Sequence, residues 1–221
     1  MNRSLKSQPL KPRKIPSQSR AAETVAAIIE AAAQVLETQG LERFNTNAVA
    51  QRAGVSIGSL YQYFPSKDAL TLALMQREAE RFYEDAAAAL EEPTGEAAMD
   101  YLISAAVRQQ LQRPVLGRLL DVEESRPEFN MEVTSADKLQ NLLVKVIERI
   151  DMPRQIYPEV AAGDVGAMVR GIVDAAGERG ESDIAGLERR VRAAVFGYLT
   201  GIANVERGTH TPAIKRAAHR P

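Results

Sequence analysis

The chain has 221 residues, 45% of them hydrophobic, and its 28 basic and 29 acidic side chains leave a net charge of -1. It has no cysteine, which excludes disulfides and thiolate-bound metals, and its only histidines, His210 and His219, lie close to the C-terminus. No stretch approaches the roughly 18 consecutive apolar residues that span a bilayer. We therefore expect a cytoplasmic protein with no cofactor, no metal and no membrane partner.

The composition also predicts an all-α fold. Alanine is abundant, tryptophan is absent, and the period-2 alternation typical of strands is hard to find anywhere in the chain. A chain of this length can bury a substantial core, as one compact unit or as a small domain fused to a larger one. Helices are expected to build that core.

Positive charge is concentrated at the N-terminal end. Residues 1–81 carry 11 basic and 7 acidic side chains, and the first 20 residues alone carry six basic side chains, three prolines and no acid. Prolines at this density prevent a stable helix, so we predict a disordered basic arm over residues 1–19 that reaches over neighbouring phosphates of a polyanion. The alternative is a leader that only improves solubility.

After the arm, residues 21–39 are predicted to form a helix that supports the elements after it. Gly40 closes this helix. Its inward stripe consists of Val25, Ile28, Ile29, Ala32, Val35 and Leu36.

Two short helices joined by a glycine turn are predicted over residues 45–64, NTNAVAQRAGVSIGSLYQYF. Asn45 or Thr46 offers a side-chain oxygen that can cap the first helix. Gly54 stands where that helix must stop with a positive φ, which glycine adopts without a Cβ clash. Ser56 can then cap the second helix. This pattern is typical of a helix-turn-helix, whose second helix enters the major groove of duplex DNA.

The outward side of the second helix carries groups suited to a DNA surface. Its outward positions are Ile57, Gly58, Ser59, Tyr61 and Gln62. Because Gly58 has no side chain it lets the helix sit deep, and Gln62 can pair with an adenine edge or bridge to a phosphate. The tyrosines can instead pack the small core, and for Tyr63, on the inward side, that interpretation is at least as good.

Residues 54–58 also fit the G-x-S-x-G pattern of a hydrolase nucleophile elbow. That elbow needs a buried strand before the serine and a histidine and an acid downstream. The preceding NTNAVAQRA is alanine-rich and helical in period, and both histidines lie near the C-terminus. We therefore reject the hydrolase interpretation.

With the lead-in helix and the following FPSKDAL, residues 20–75 resemble the DNA-binding domain of the tetracycline-repressor (TetR) family, in its AcrR-like form. In that family the recognition helix enters the major groove, aromatic and hydroxyl groups grip phosphates, and the lysine opening the next helix adds a backbone contact. The resemblance places these DNA contacts on Thr46, Ser56, Ile57, Gly58, Ser59, Tyr61, Gln62, Tyr63 and Lys67.

The resemblance and the helical pattern together give the expected organisation of the chain. We predict a three-helix DNA-binding domain over 20–66, a helical effector-binding and dimerisation domain over 67–206, a flexible tail over 207–221, and about nine helices in all. Ser66 can cap a long helix that runs to about Leu90 and links the two domains. Pro114 opens a later helix that places Val115 inward, and another carries an inward stripe from Leu139 to Ile150.

The last two predicted helices are apolar and contain Gly166, Gly171, Gly197 and Gly201. These glycines cost helix propensity but permit close backbone approach. The resemblance implies that this helix pair builds a four-helix homodimer interface, which matches the two-fold symmetry of a palindromic operator. Packing of the glycines within one chain is the alternative.

A small-molecule effector is expected in the second domain, and its identity is not inherited from the family. The inward positions hold two polar residues, Gln110 and Glu123, either of which can orient a ligand. A buried carboxylate is costly unless paired, so Glu123 either selects a cationic or hydrogen-bond-donating compound or pairs with an arginine. The candidate arginines are Arg108, Arg118 and Arg126. Further weak ligand candidates are Tyr83, Tyr101, Phe129 and Met131, for which ordinary core packing is the alternative.

These features predict a homodimeric transcriptional regulator, most simply a repressor, that an effector releases from double-stranded operator DNA. A ligand-independent regulator or architectural factor is the alternative within DNA binding. An all-helical enzyme is the alternative from another class, but the chain has no P-loop, H-E-x-x-H or dinucleotide-binding pattern.

Overall fold

The computed structural model describes residues 19–124, 126, 129 and 134–209. Within them it forms nine α-helices and no strand, so the predicted all-α fold is confirmed. The helices are α1 (Ser19–Arg43), α2 (Thr46–Ala53), α3 (Ile57–Tyr63), α4 (Lys67–Ala87), α5 (Gly95–Gln112), α6 (Pro114–Glu124), α7 (Thr134–Ile147), α8 (Pro158–Glu178) and α9 (Ile184–Thr209). None of the described helices is long and apolar enough to cross a membrane. The predicted basic arm and Met131 lie outside the described residues.

The glycine at the end of the first predicted helix marks a kink. Gly40 has φ 72° and ψ 178°, outside the helical region, and helical residues resume after it as far as Arg43. Glycine permits this conformation because it has no Cβ. The chain is therefore redirected at Gly40 before it enters α2.

The long helix after the DNA-binding segment begins as expected and ends earlier. The Ser66 hydroxyl accepts a hydrogen bond from the amide of Ala69 at 3.1 Å and caps α4. The α-helix stops at Ala87, and Ala88–Glu91 form a 3₁₀ turn instead of the predicted α-helix to about Leu90. Tightening into 3₁₀ geometry is a common way for a helix to end.

The described helices divide into two compact units. One comprises residues up to Asp85 together with Gln109–Asp137, and the other comprises Ala86–Arg108 together with residues from Lys138 onward. This division assigns α4 and α6 to the same unit as the helix-turn-helix. The predicted boundaries at 66/67 and 206/207 remain predictions.

The first unit has one continuous apolar core. Its largest fully buried side chains, contributed by α1, α3, α4, α6 and two non-helical positions, are Ile28, Val35, Leu36, Leu60, Phe64, Leu70, Leu74, Leu116 and Phe129. The helix-turn-helix thus shares its core with α6. Val115 was predicted to lie inward on α6, but it is exposed, because the buried apolar positions of that helix are Leu116 and Leu120.

The second unit is built around α8 packed on α9, together with α7 and the larger part of α5. Buried positions along α9 recur every four residues, at Leu187, Val191, Val195, Leu199 and Ala203. Ile150 was predicted to extend the inward stripe of α7. It is instead fully exposed, because α7 ends at Ile147 and the chain has already left the helical face.

A turn after α7 holds the beginning of α5. The carboxylate of Asp151 accepts hydrogen bonds from the amides of Gly95 at 2.9 Å and Glu96 at 3.1 Å. The guanidinium of Arg149 donates to the carbonyls of Leu90 and Glu92 just before that helix. The backbone hydrogen bonds lower the pKa of Asp151 below its ordinary value, because they stabilise the charged form at a helix N-terminus.

Replacing Asp151 by Asn removes this charge and retains one acceptor oxygen. Since the folded-state pKa of Asp151 is lowered, its contribution to stability is present above the ordinary pKa of aspartate and is lost as the pH falls through the folded-state value. We expect Asp151→Asn to unfold at a lower temperature than the unmodified protein at pH 7, with the difference shrinking as the pH falls below about 4. Thermal denaturation followed by circular dichroism measures this, and an offset that is constant down to pH 3 would contradict it.

Candidate nucleic-acid interface

The corner between α2 and α3 is fixed by backbone geometry. Asn45 caps α2, its side-chain oxygen accepting from the amide of Ala48 at 3.0 Å. Gly54 ends α2 in the left-handed region, with φ 68° and ψ 27°, and the amide of Val55 donates to the carbonyl of Ala50 at 3.0 Å. The predicted glycine turn is therefore present, and of the two predicted cap residues, Asn45 and Thr46, it is Asn45 that caps α2.

Two serine hydroxyls stabilise the first turn of α3. The Ser56 hydroxyl accepts from the amide of Ser59 at 3.0 Å and also lies 2.9 Å from the Ser59 hydroxyl. Ser56 thus caps α3 as predicted. Any contact of either hydroxyl with DNA has to be made in addition to these bonds.

A hydroxyl pair joins the start of α2 to α3. The Thr46 and Tyr61 hydroxyls are 3.1 Å apart, although the two residues are 15 positions apart in sequence. Thr46 is buried, whereas the ring of Tyr61 remains 41% exposed. This hydrogen bond fixes the position of the Tyr61 hydroxyl. The predicted contact of Tyr61 with a phosphate is compatible with that position, and Thr46 holds the hydroxyl there.

The remaining predicted DNA contacts divide by exposure. Ile57, Gly58 and Gln62 are exposed, while Leu60, on the opposite side of α3, is fully buried. Tyr63 is half-buried and packs against the apolar core of the first unit, which agrees with the core interpretation of that residue. The exposed face of α3 therefore consists mainly of Ile57, Gly58, Tyr61 and Gln62.

Lys67 lies at the first position of α4, and its ammonium group stands 5.2 Å above the ring centre of Phe44. A cation in this position is attracted by the electron-rich ring face. Phe44 is buried, so its ring gives the Lys67 ammonium group a well-packed surface to lie on. Phe44 has no role that the sequence alone predicts, because Phe44 and Lys67 are 23 positions apart and no local pattern joins them.

Ion pairs and amide contacts hold α1 against its neighbours in the first unit. Arg113 binds Glu37 through two nitrogens, at 2.8 and 2.5 Å, and Arg77 donates to Glu30 at 2.8 Å. Partial burial raises the pKa of Glu30, but the nearby charges of Arg77 and Arg113 outweigh it and leave the pKa below its ordinary value. These contacts join α1 to α4 and to the short α5–α6 connection.

A further hydrogen bond connects α1 to α2, the first helix of the helix-turn-helix. Arg52 of α2 donates from Nε to the side-chain oxygen of Gln34 on α1, at 2.8 Å. Both residues are polar and belong to no motif in the sequence. A contact across 18 positions has no signature in a single sequence, so only the fold reveals it.

The weak ligand candidates have mostly structural surroundings. Glu123 is buried and pairs with Arg126 at 2.7 Å, which selects Arg126 from the three candidate arginines. Arg126 also donates to Asp68 at 3.0 Å and lies 4.8 Å above the ring of Phe129. The hydrogen bond to Glu123, with the one to Asp68, raises the pKa of Arg126.

The other ligand candidates are less closely grouped. Gln110 is half-buried, with its side-chain oxygen against Gly117, where an added Cβ would stand 3.1 Å from that oxygen. Tyr83 is half-buried, and Tyr101, in the other unit, lies beneath Arg108 at 5.5 Å. Their ligand roles remain predictions.

Substitutions at two glycines with open surroundings test whether the positive φ of Gly54 requires glycine. At Gly54 an added Cβ would meet no described atom within 4 Å, but φ is positive, so Gly54→Ala should cost about 1–2 kcal/mol of folding free energy. At Gly58 the nearest atom is the Ser56 hydroxyl oxygen at 3.9 Å and φ is ordinary, so Gly58→Ala should leave stability equal or raise it by up to about 1 kcal/mol. Urea denaturation of both variants checks this, and equal losses would show that the turn assignment is wrong.

Comparison with known proteins places this corner in a family. The family model described as bacterial regulatory proteins, tetR family, matches residues 28–74, which include α2, α3 and the first part of α4. The A-factor receptor protein of Streptomyces griseus is 39% identical over 61 residues, which are 28% of this chain and 22% of that protein. The HTH-type transcriptional repressor KstR of Mycolicibacterium smegmatis is 43% identical over 54 residues, 24% of this chain and 26% of that protein. The match to these relatives spans about a quarter of their length.

A solved structure extends the likeness to the rest of the fold. The regulator FadR of Bacillus subtilis, in complex with stearoyl-CoA, superimposes with a TM-score of 0.69 and covers 77% of this chain and 97% of that one, at 18% identity, a level that shows the fold alone. The resemblance found in the motif is confirmed by the matched segment, its two relatives and the shared fold. Residues 28–74 therefore match the DNA-binding domain of the tetR family of bacterial regulatory proteins, and the described helices share the fold of FadR.

Proposed function

We propose that the protein is a transcriptional regulator which binds a palindromic operator as a homodimer and represses transcription until an effector releases it. The observation that carries this proposal is the exposed face of α3, held at a fixed angle by the Gly54 turn and followed by Lys67. A helix presented in this way fits the major groove, where base edges can be read. The repressor KstR, 43% identical to this chain over 54 residues, supports repression as the direction of control.

Contacts with phosphates and with bases fall to different residues. Lys67 and the hydroxyl of Tyr61 can bind phosphates, which sets the affinity and the register without selecting a sequence. Gln62 has an exposed amide that can pair with the N6 and N7 edge of adenine. Because Gly58 has no side chain, α3 can lie close to the base edges in the major groove. The operator sequence is therefore expected to depend on few side chains.

The homodimer is supported by glycines of α8 and α9 that have open space beside them in the described part of the chain. An added Cβ at Gly171, Gly197 or Gly201 would meet no atom of the described chain within 4 Å, whereas helix α8 packs on α9 elsewhere along its length. Helix-interior glycine costs about 0.5–1 kcal/mol relative to alanine. Close approach of a second copy accounts for glycine at these open positions, and packing within one chain does not.

An effector can change the position of the recognition helix α3 through α6. Leu116 and Leu120 of α6 belong to the same buried cluster as Leu36 of α1 and Leu60 of α3. A ligand that binds better to a displaced α6 would therefore shift the reader between two states. FadR of Bacillus subtilis, which shares this fold, was solved in complex with stearoyl-CoA, so the fold has room for a small molecule in that protein.

Replacing Lys67 by Ala should weaken binding to every duplex and flatten its dependence on salt. Each phosphate contact that is lost reduces the slope of log affinity against log salt by about 0.9, so we expect a decrease of about one unit per subunit. Fluorescence anisotropy from 50 to 300 mM KCl measures the slope. Lys145→Ala, at an exposed lysine of α7, removes the same charge and should leave the slope unchanged. Equal slopes for the two variants would remove Lys67 from the interface.

Replacing Gly201 by Leu tests the dimer. The single chain has open space at this position, so the variant should fold, but the larger side chain should hold two copies apart and raise the dimer dissociation constant by at least tenfold. Sedimentation equilibrium measures it. Asn141→Leu, at an exposed position of α7, adds similar apolar bulk and should leave dimerisation unchanged. A Gly201→Leu protein that dimerises as well as the control would contradict the proposed interface.

A further inference from the structure

The recognition helix exposes an apolar pair. Ile57 is 38% exposed and Tyr61 is 41% exposed, and they lie four positions apart on α3. Residues with this spacing are neighbours on one helix face. An exposed isoleucine is ordinary by itself, but here it stands on the face that the proposed function turns toward DNA.

The polar groups around Ile57 are already bonded within the protein. The hydroxyls of Ser56 and Ser59 lie 2.9 Å apart, and the hydroxyl of Tyr61 is bonded to that of Thr46 at 3.1 Å. Gly58 adds no side chain beside Ile57. Ile57 is therefore the one large apolar side chain on the exposed side of the first turn of α3, beside two serine hydroxyls that already bond to each other.

The major groove offers few apolar partners. Its base edges are hydrogen-bond donors and acceptors, with the C5-methyl group of thymine as the apolar feature. The N-terminal residues of a recognition helix are those that approach base edges, and Ile57 is the first residue of α3. We propose that Ile57 is a specificity-determining residue that contacts a thymine methyl group in each operator half-site. This inference rests on the proposed function, since it requires α3 to enter the groove.

The expected loss of operator affinity follows from the size of the thymine C5-methyl group. Burying one methyl-sized group corresponds to about 0.8 kcal/mol, or about fourfold in affinity. A dimer on a symmetric operator makes the contact twice, so removing both methyl groups should weaken binding by about 15-fold if the two half-sites contribute independently.

The test uses deoxyuridine, which pairs as thymine does and lacks only the C5-methyl group. Binding duplexes are first selected from a randomised pool with the full-length protein, and each thymine of the selected operator is then replaced symmetrically. We expect one thymine position at which the replacement weakens binding of the unmodified protein by about 15-fold. The variant Ile57→Ala should bind the thymine and deoxyuridine operators equally, and Ile57→Val should retain part of the preference.

Two controls make the outcome specific. Ile150→Ala changes the same residue type at a fully exposed position after α7, and it should keep the full preference for thymine. Thermal denaturation should show that Ile57→Ala stays folded at the temperature of the binding assay, and any small loss of stability acts on both operators alike.

The outcomes separate this inference from the proposed function. If no duplex is bound specifically, the proposed function itself fails. If an operator is bound but deoxyuridine at every thymine leaves the affinity unchanged, the role of Ile57 is overturned while DNA binding stands. The same conclusion follows if Ile57→Ala still binds the thymine operator about 15-fold more tightly than the deoxyuridine operator.

Discussion

The structure depends on one backbone conformation, the left-handed turn at Gly54. Its positive φ directs the chain from α2 into α3 within three residues, and the amide of Val55 closes the corner on the carbonyl of Ala50. Any other residue at Gly54 would have to adopt a positive φ, which L-amino acids with a Cβ rarely do. Because the corner is fixed by the backbone, the side chains of α3 are free to serve as an exposed reading face.

The reading face is supported by a core that extends beyond the helix-turn-helix. Leu60 of α3 is buried in the same cluster as residues of α1, α4 and α6, and Arg113 ties the start of α6 to Glu37 of α1. Packed cores have discrete arrangements and do not deform continuously. A shift of α6 would therefore move α3 as well. Control of DNA binding by an effector requires such a coupled movement.

Local chemistry made much of this predictable from the sequence. The caps at Asn45, Ser56 and Ser66 and the turn at Gly54 are each set by a few neighbouring residues, so their patterns were visible. The inward and outward positions of α3 followed from helical period alone.

What the sequence could not predict depends on distant residues or on where an element stops. The Thr46–Tyr61 bond and the Lys67–Phe44 contact join positions that become neighbours only after folding. Ile150 was misplaced because its spacing fitted a stripe that the end of α7 interrupts. The central claim, that the α2–α3 corner is the surface that meets DNA, is tested most directly by amide chemical shifts of the full-length protein during titration with its selected operator duplex. The account predicts that the largest changes fall within residues 45–67, and changes confined to other surfaces would contradict it.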